Sequence, residues 1–304
     1  MTIPPLDAVS TRRLPGTTVL LGEGMPIARL LPQRQRRTIG AWCFFDHFGP
    51  VDITDSKGMR VGPHPHTGLQ TVTWLLEGEV LHRDSLGSLL TIRPGQLNLM
   101  TSGEGISHSE ESPQPIPPRL HGAQLWIALP ESVRHGAPAF AHHESLPVVQ
   151  RDGWQVTVLL GEALGVKSPG QIYTPLVGLD VRTATAGELV LPLEPGFEYG
   201  VSVLSGNAVV NGMESLSPNE LLYFPPGCSE LRIRTEGPVC LLVLGGEPFP
   251  EPLLMWWNFV GRDKAELVQA CREWNAGAER FGAVHGYDGE RLSAPMPPWQ
   301  TPEA

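Results

Sequence analysis

Apolar and polar positions alternate with a period of two through much of the first half of the chain. Thr71-Val-Thr-Trp-Leu-Leu76 is β-branched, aromatic and apolar, Glu77-Gly-Glu79 turns the chain, and Val80-Leu-His-Arg-Asp84 follows, the pattern of a hairpin. Leu89–Ile92 predicts the next strand, Pro94-Gly95 a turn, and Gln96-Leu-Asn-Leu-Met100 alternates before Ser102-Gly-Glu-Gly105 turns again. Strands therefore recur about every ten residues.

The same grammar returns later. Residues 199–206 mirror 71–78, and 218–227 mirror 94–103, so the chain has the form of an internal duplication. Residues 120–130 predict the last strand of the first unit, and a loop-rich stretch around 138–147 predicts a linker. This places the boundary near residue 145, with one unit at 1–145 and the other at 146–304. One helix is predicted: Asp263-Lys-Ala-Glu266 has the form of a capping box, Leu267, Cys271 and Trp274 fall on one face, and Gly277 stands where a helix would end. Residues 291–304 carry Pro295, Pro297, Pro298 and Pro302 and predict an extended or disordered tail. The fold class is all-β, two tandem units of antiparallel strands that close into small barrels, with a short C-terminal helix. Paired immunoglobulin-type sandwiches would show the same strand spacing, and chemistry has to separate the two.

Composition narrows the function. The chain has 304 residues, 41% of them apolar, with 34 glycines and 31 prolines, a balance suited to short strands and tight turns. A net charge of -10 argues against a footprint for nucleic acid or an anionic membrane, and the one basic run, Gln33-Arg-Gln-Arg-Arg37, has the form of a solvated turn. No apolar leader and no stretch of roughly eighteen apolar residues is present, so a cytoplasmic protein is expected. Cys43, Cys228, Cys240 and Cys271 lack any C-x-x-C spacing and predict reduced, structural thiols. Phosphate-binding glycine loops and the G-x-S-x-G elbow are absent, which leaves nucleotide binding and serine hydrolysis with little support.

Two short pairs carry chemistry. His64-Pro-His66 puts two imidazoles on one face of an extended segment, where they can share a metal ion. His108-Ser-Glu110 has the same spacing and offers a third imidazole and a carboxylate from a second strand. Either pair alone is a weak signal; together, in this strand grammar, they are specific. Gly105-Ile-Ser-His108 matches the ending of the second cupin motif, which favours jelly-roll barrels over sandwiches.

The segments Phe45-Asp-His-Phe-Gly-Pro50, His64-Pro-His-Thr-Gly-Leu-Gln-Thr-Val-Thr73 and 100–110 resemble the pirin family, and the likeness continues through Gln124-Leu-Trp126, Gly161-Glu-Ala-Leu-Gly165 and Gly245-Gly-Glu-Pro248 to Trp256-Trp-Asn-Phe-Val-Gly261. The resemblance implies a bicupin whose N-terminal barrel holds one metal ion, usually iron, through His64, His66, His108 and Glu110. Cupins with a glutamate ligand carry it four residues after the second histidine; this chain has Gln70 there, which leaves Glu110 as the carboxylate of these motifs. At the corresponding place the second barrel has Pro195-Gly-Phe-Glu-Tyr199, without histidine, and no metal is expected in it.

Three imidazoles and a carboxylate suit Fe, Mn, Co, Ni, Cu or Zn, and iron is preferred because a six-coordinate ion keeps two positions for substrate and dioxygen. The resemblance further implies quercetin 2,3-dioxygenase activity on a flavonol, with Glu110 assisting deprotonation of the substrate. The alternatives are a non-enzymatic, iron-dependent redox regulator that binds a protein partner, and a metal-stabilised barrel without activity. His47 and His82 are expected mainly as structural hydrogen-bonding residues, with orientation of a ligand as the other reading. His121, His135, His142, His143 and His285 are expected at the surface or in packing. Trp42, Trp74 and Trp126 are expected in the core or barrel wall, with stacking on a flat substrate as the other reading.

Overall fold

Pairing of these alternating segments sets the architecture. The computed structural model describes residues 11–22 and 24–299, and among them the chain is mainly strand, with one α-helix at Lys264–Ala276 and a 3-10 turn at Glu279–Phe281. Residues 1–10, where the lack of a leader was inferred, and residues 300–304 of the predicted tail lie outside the described residues. Among the described residues, no helix is long and apolar enough to cross a membrane.

Two compact units result. One comprises residues 19–27, 48–144 and 250–299; the other comprises 11–18, 28–47 and 145–249. In the first, a four-stranded sheet runs in the order Arg60–His66, Ile106–Glu111, Val80–Asp84, Leu89–Ile92. Ala139–His143, Leu97–Thr101, Leu69–Glu77 and Arg119–Ala128 lie side by side in a second sheet. Val61, Leu75, Val80 and Ile92 belong to a buried apolar cluster. Two and four residues along from Val80, and likewise from Leu75, the same strand faces carry polar groups: His82 and Asp84, and Thr73 and Thr71.

The other unit repeats the plan. Glu220–Phe224, Glu198–Ser205, Val239–Gly246 and Leu176–Thr183 are consecutive in one sheet, and Gly187–Pro192, Glu230–Thr235 and Val209–Val210 form another. The duplication extends to register. Thr71 faces Met100 and Thr73 faces Asn98, while Tyr199 faces Phe224 and Val201 faces Leu222.

The chain ends depart from a contiguous division at residue 145. Arg12–Pro15 pairs with Glu220–Phe224, so an N-terminal strand completes the later unit. The helix, assigned by sequence to the later unit, lies in the earlier one, where Leu267, Ala270, Cys271 and Trp274 pack with Phe259, Phe281 and Ala294. Hydrogen bonds fasten that segment to the strands: Leu292 N–H donates to Pro63 O at 2.8 Å, and Ser107 Oγ donates to Phe281 O at 2.9 Å. Nothing in local periodicity encodes such an exchange, because both sheets offer edges of the same kind.

Both predicted helix ends form, although Glu266 Oε2 accepts from Arg262 N–H at 2.8 Å, one residue before the position a capping box would use. Asp263 accepts from Glu266 N–H at 2.9 Å, and Gly277 adopts the left-handed conformation at φ 78°, with Ala278 N–H donating to Glu273 O at 2.9 Å. None of the four cysteines is in a disulfide, and burial pushes Cys271 up to about 11 and Cys240 well above the ordinary thiol value, which keeps both un-ionised.

Candidate metal centre

Strand geometry brings the histidines together. Arg60–His66 is the edge strand of its sheet, so Pro63 and Pro65 cost it no essential ladder bond. It pairs with Ile106–Glu111, with His64 opposite His108 and His66 opposite Ile106. Alternation then puts His64, His66 and His108 on one face. The chain leaves this strand through Gly68, at φ 70°, where a Cβ would stand 2.3 Å from Val260 O; only glycine fits. Between His108 and Glu110 the register slips by one residue, a β-bulge that sets Glu110 opposite Val61. On its other side the strand faces Val80–Asp84, with Glu110 opposite His82 and His108 opposite Asp84.

The three imidazoles are buried, and ring centroids stand 5.1 Å apart for His64 and His66, 4.3 Å for His64 and His108 and 5.0 Å for His66 and His108. Outer hydrogen bonds orient two of them. Nδ1 of His64 donates to Gly62 O at 2.8 Å, and Nδ1 of His66 donates to Asn258 O at 3.2 Å, so both Nε2 atoms keep bare lone pairs. Burial lowers His64 to about 4 and takes His66 and His108 well below the usual imidazole value, so all three are neutral near pH 7.

The four ligands expected from sequence fall into two overlapping groups. His64, His66 and His108 offer ligand atoms within 4.8 Å of one another; His82, His108 and Glu110 form a second such group. His108 belongs to both. Burial raises the Glu110 carboxyl, against the lowering influence of His82 and Thr73. Thr73 Oγ1 stands 3.3 Å from Glu110 Oε1 and 2.9 Å from Gln124 Oε1, so its single proton serves one of them at a time.

Around this cluster the strands add aromatic and polar groups. Trp126 meets the His66 ring edge to face at 5.1 Å, and Phe140 stacks on His82 at 4.6 Å with 16° between planes. His142 is tied to Asn98 Oδ1 at 2.5 Å and is not a plain surface residue. Gln70 donates to Thr101 Oγ1 at 3.0 Å and, three residues from Thr73, sits on the opposite strand face. His47 lies in the other unit, bonded to Asn219 Oδ1 at 2.8 Å. Sequence reasoning passed over Asp84, Thr73 and the Asn258 carbonyl. For Asp84 a signal existed, since His82-Arg-Asp84 has the i, i+2 spacing that singled out the other pairs.

The donor set fits a transition ion. Nε2 of His66 and Nε2 of His108 stand 3.1 Å apart. Two nitrogens bound at right angles, each about 2.1 Å from a shared ion, would be separated by about 3.0 Å. Neutral, buried imidazoles are the form that binds metal.

Two jelly-roll barrels, one of them holding a buried imidazole cluster, define a bicupin. Residues 24–127 match the Pirin family model and residues 178–282 match the Pirin C-terminal cupin domain; the chain belongs to the pirin family. It is 48% identical over 289 residues to a Pseudomonas aeruginosa protein named "Putative quercetin 2,3-dioxygenase", an alignment covering 95% of this chain and 91% of that one. A pirin-like protein of Caulobacter vibrioides is 38% identical, over 83% of this chain and 88% of the relative. Among solved structures, quercetin 2,3-dioxygenase from Acinetobacter baumannii superposes with a TM-score of 0.93 at 46% identity, covering 97% of this chain and 98% of that chain.

Proposed function

We propose that this chain is a metal-dependent quercetin 2,3-dioxygenase, with one ion held by His64, His66, His108 and Glu110 in the first barrel, and iron as the ion. The observation that carries the reading is the convergence of buried, neutral imidazoles, with the Nε2 atoms of His66 and His108 3.1 Å apart. Kinship with proteins named for this activity supplies the substrate class.

When bound, the ion supplies the Lewis acidity and electron exchange that reaction of a singlet flavonol with triplet dioxygen requires. The protein does the rest. Glu110, made more basic by burial, accepts the proton of the flavonol 3-hydroxyl at Oε1, and Thr73 Oγ1 orients that oxygen. His64 and His66 are held by their outer hydrogen bonds to Gly62 O and Asn258 O and cannot turn away during turnover. Trp126, edge to face with His66, and Phe140, stacked on His82, set aromatic side chains beside the cluster. The net change is flavonol plus dioxygen giving the ring-opened depside, which keeps both oxygen atoms of dioxygen, and carbon monoxide.

The test is direct. Purified protein, fully loaded with iron, is mixed with quercetin in air; loss of the flavonol absorbance with one carbon monoxide per flavonol is expected. A fully loaded protein that leaves quercetin intact would overturn the enzymatic reading. Binding of a protein partner that changes when the metal is oxidised would then favour the regulator.

A further inference from the structure

A line of side chains continues outward from His108. Its Nδ1 lies 3.4 Å from Nδ1 of His82, and Nε2 of His82 lies 3.1 Å from Oδ2 of Asp84. All three residues are buried, and the stack on Phe140 fixes the plane of the His82 ring. The other carboxylate oxygen, Oδ1, accepts the backbone N–H groups of Leu86 at 2.9 Å and Ser88 at 3.0 Å. Rotating the carboxylate would break both bonds.

Proton positions along the line are dictated from the anionic end. A carboxylate only accepts, so His82 carries a proton on Nε2, and as a neutral imidazole it presents a lone pair at Nδ1. That lone pair takes the Nδ1–H of His108. The Nε2 of His108 is then bare, facing the bare Nε2 of His66 at 3.1 Å. A cation placed between those two lone pairs would be bound by both.

We propose that Asp84 and His82 are positioning residues that lock His108 in its Nδ1–H tautomer and so aim its Nε2 lone pair at the metal. The assignment rests on His108 being a metal ligand. It adds two residues to the four expected from sequence, and it gives His82 a place outside the ligand set although it stands within 4.8 Å of His108 and Glu110, because both of its ring nitrogens are already engaged.

Asp84→Asn makes the line testable. An asparagine at this position must keep its oxygen toward the N–H groups of Leu86 and Ser88, which turns its NH2 toward His82. His82 Nε2 becomes the acceptor, the His82 proton moves to Nδ1, and His108 must accept it there. The His108 proton is then left on Nε2, the atom that faces the metal. The change is nearly isosteric, so packing is preserved while the ligand atom is capped.

The experiment uses the full chain. Nitrogen-15 NMR of the metal-free protein reads the tautomers, and an optical titration with Co(II) alone reads affinity. Expected are an Nδ1–H His108 in the wild type, an Nε2–H His108 in Asp84→Asn, and Co(II) affinity about 10- to 100-fold weaker in the variant. An Nε2–H His108 in the wild type would overturn the proposal, and that measurement needs no variant to fold. So would an Asp84→Asn protein with unchanged tautomer and affinity. His108→Ala separates the two readings: undiminished Co(II) binding there overturns the metal centre itself, whereas lost binding there beside an unaltered Asp84→Asn overturns the positioning line alone.

Discussion

In the first barrel, the neighbouring strands Leu97–Thr101, Leu69–Glu77 and Arg119–Ala128 turn Thr71, Thr73, Asn98, Met100, Gln124 and Trp126 to one face. The second barrel, in the same register, places Tyr199, Val201, Leu222, Phe224, Val243 and Gly245 there. The smaller sheets differ further. His64 pairs with His108 in one, whereas in the other Leu189 pairs with Ile233 and Leu191 with Leu231, all buried in a single apolar cluster. A carboxylate persists in the second unit at Glu198, but Gly40 N–H at 2.6 Å, Tyr223 OH at 2.8 Å and Arg36 at 3.3 Å already occupy it. One backbone plan thus supports two fillings. The apolar one stabilises at about 25 cal/mol per Å² of surface buried, and the polar one costs desolvation that a bound cation offsets.

Four experiments press on this difference. The largest effect is expected from moving an imidazole into the apolar barrel: Leu191→His should destabilise the chain by about 4 kcal/mol in urea unfolding, with its metal content unchanged. A tolerated substitution would mean the second barrel is not packed as described.

Acid should discriminate next. His64 titrates near 6.5 when unfolded and near 4 when folded, so between those values the unfolded chain binds the extra proton. Metal-free protein should therefore lose on the order of 3 kcal/mol as pH falls from 6.5 to 4 through His64 alone. Unfolding midpoints across that window check it; a flat profile would contradict the buried, neutral cluster. Removing one ligand, His66→Ala, should weaken Fe(II) binding roughly 100-fold or more, read by competition with a chelator. The smallest effect is expected from Thr73→Val, which installs the residue type of Val201 and should cost about 1 kcal/mol of stability through the lost hydroxyl contacts. Turnover of quercetin should slow several-fold in that variant, since Glu110 loses its orienting partner.

Much of the centre was legible because a strand repeats every two residues: His64 with His66, and His108 with Glu110, are brought to one face by alternation alone. The duplication was legible for a related reason, since Pro94-Gly95 and the turn beginning at Pro218 reset the register alike. Other parts had no local signature. The bulge lies in Arg60–His66, where Gly62 and Pro63 together oppose the single residue Ser109; a glycine and a proline stand there, but which pair of strands they would offset is not written in the local sequence. The Asn258 carbonyl that orients His66 is a backbone group 192 residues distant, presented after Trp257 adopts a φ of 51°. Asp84 carried a signal, yet a histidine two residues from an aspartate also fits a surface ion pair, and only burial distinguishes the two.

Everything turns on whether the imidazoles of the first barrel hold a metal ion while the apolar second barrel holds none. The most direct measurement is elemental analysis of the full chain after anaerobic reconstitution with Fe(II) and removal of free iron, beside a His64→Ala, His108→Ala double variant. One iron per chain in the wild type and none in the folded double variant is the predicted result. Iron retained by the double variant, or a wild type that takes up none, would contradict the account.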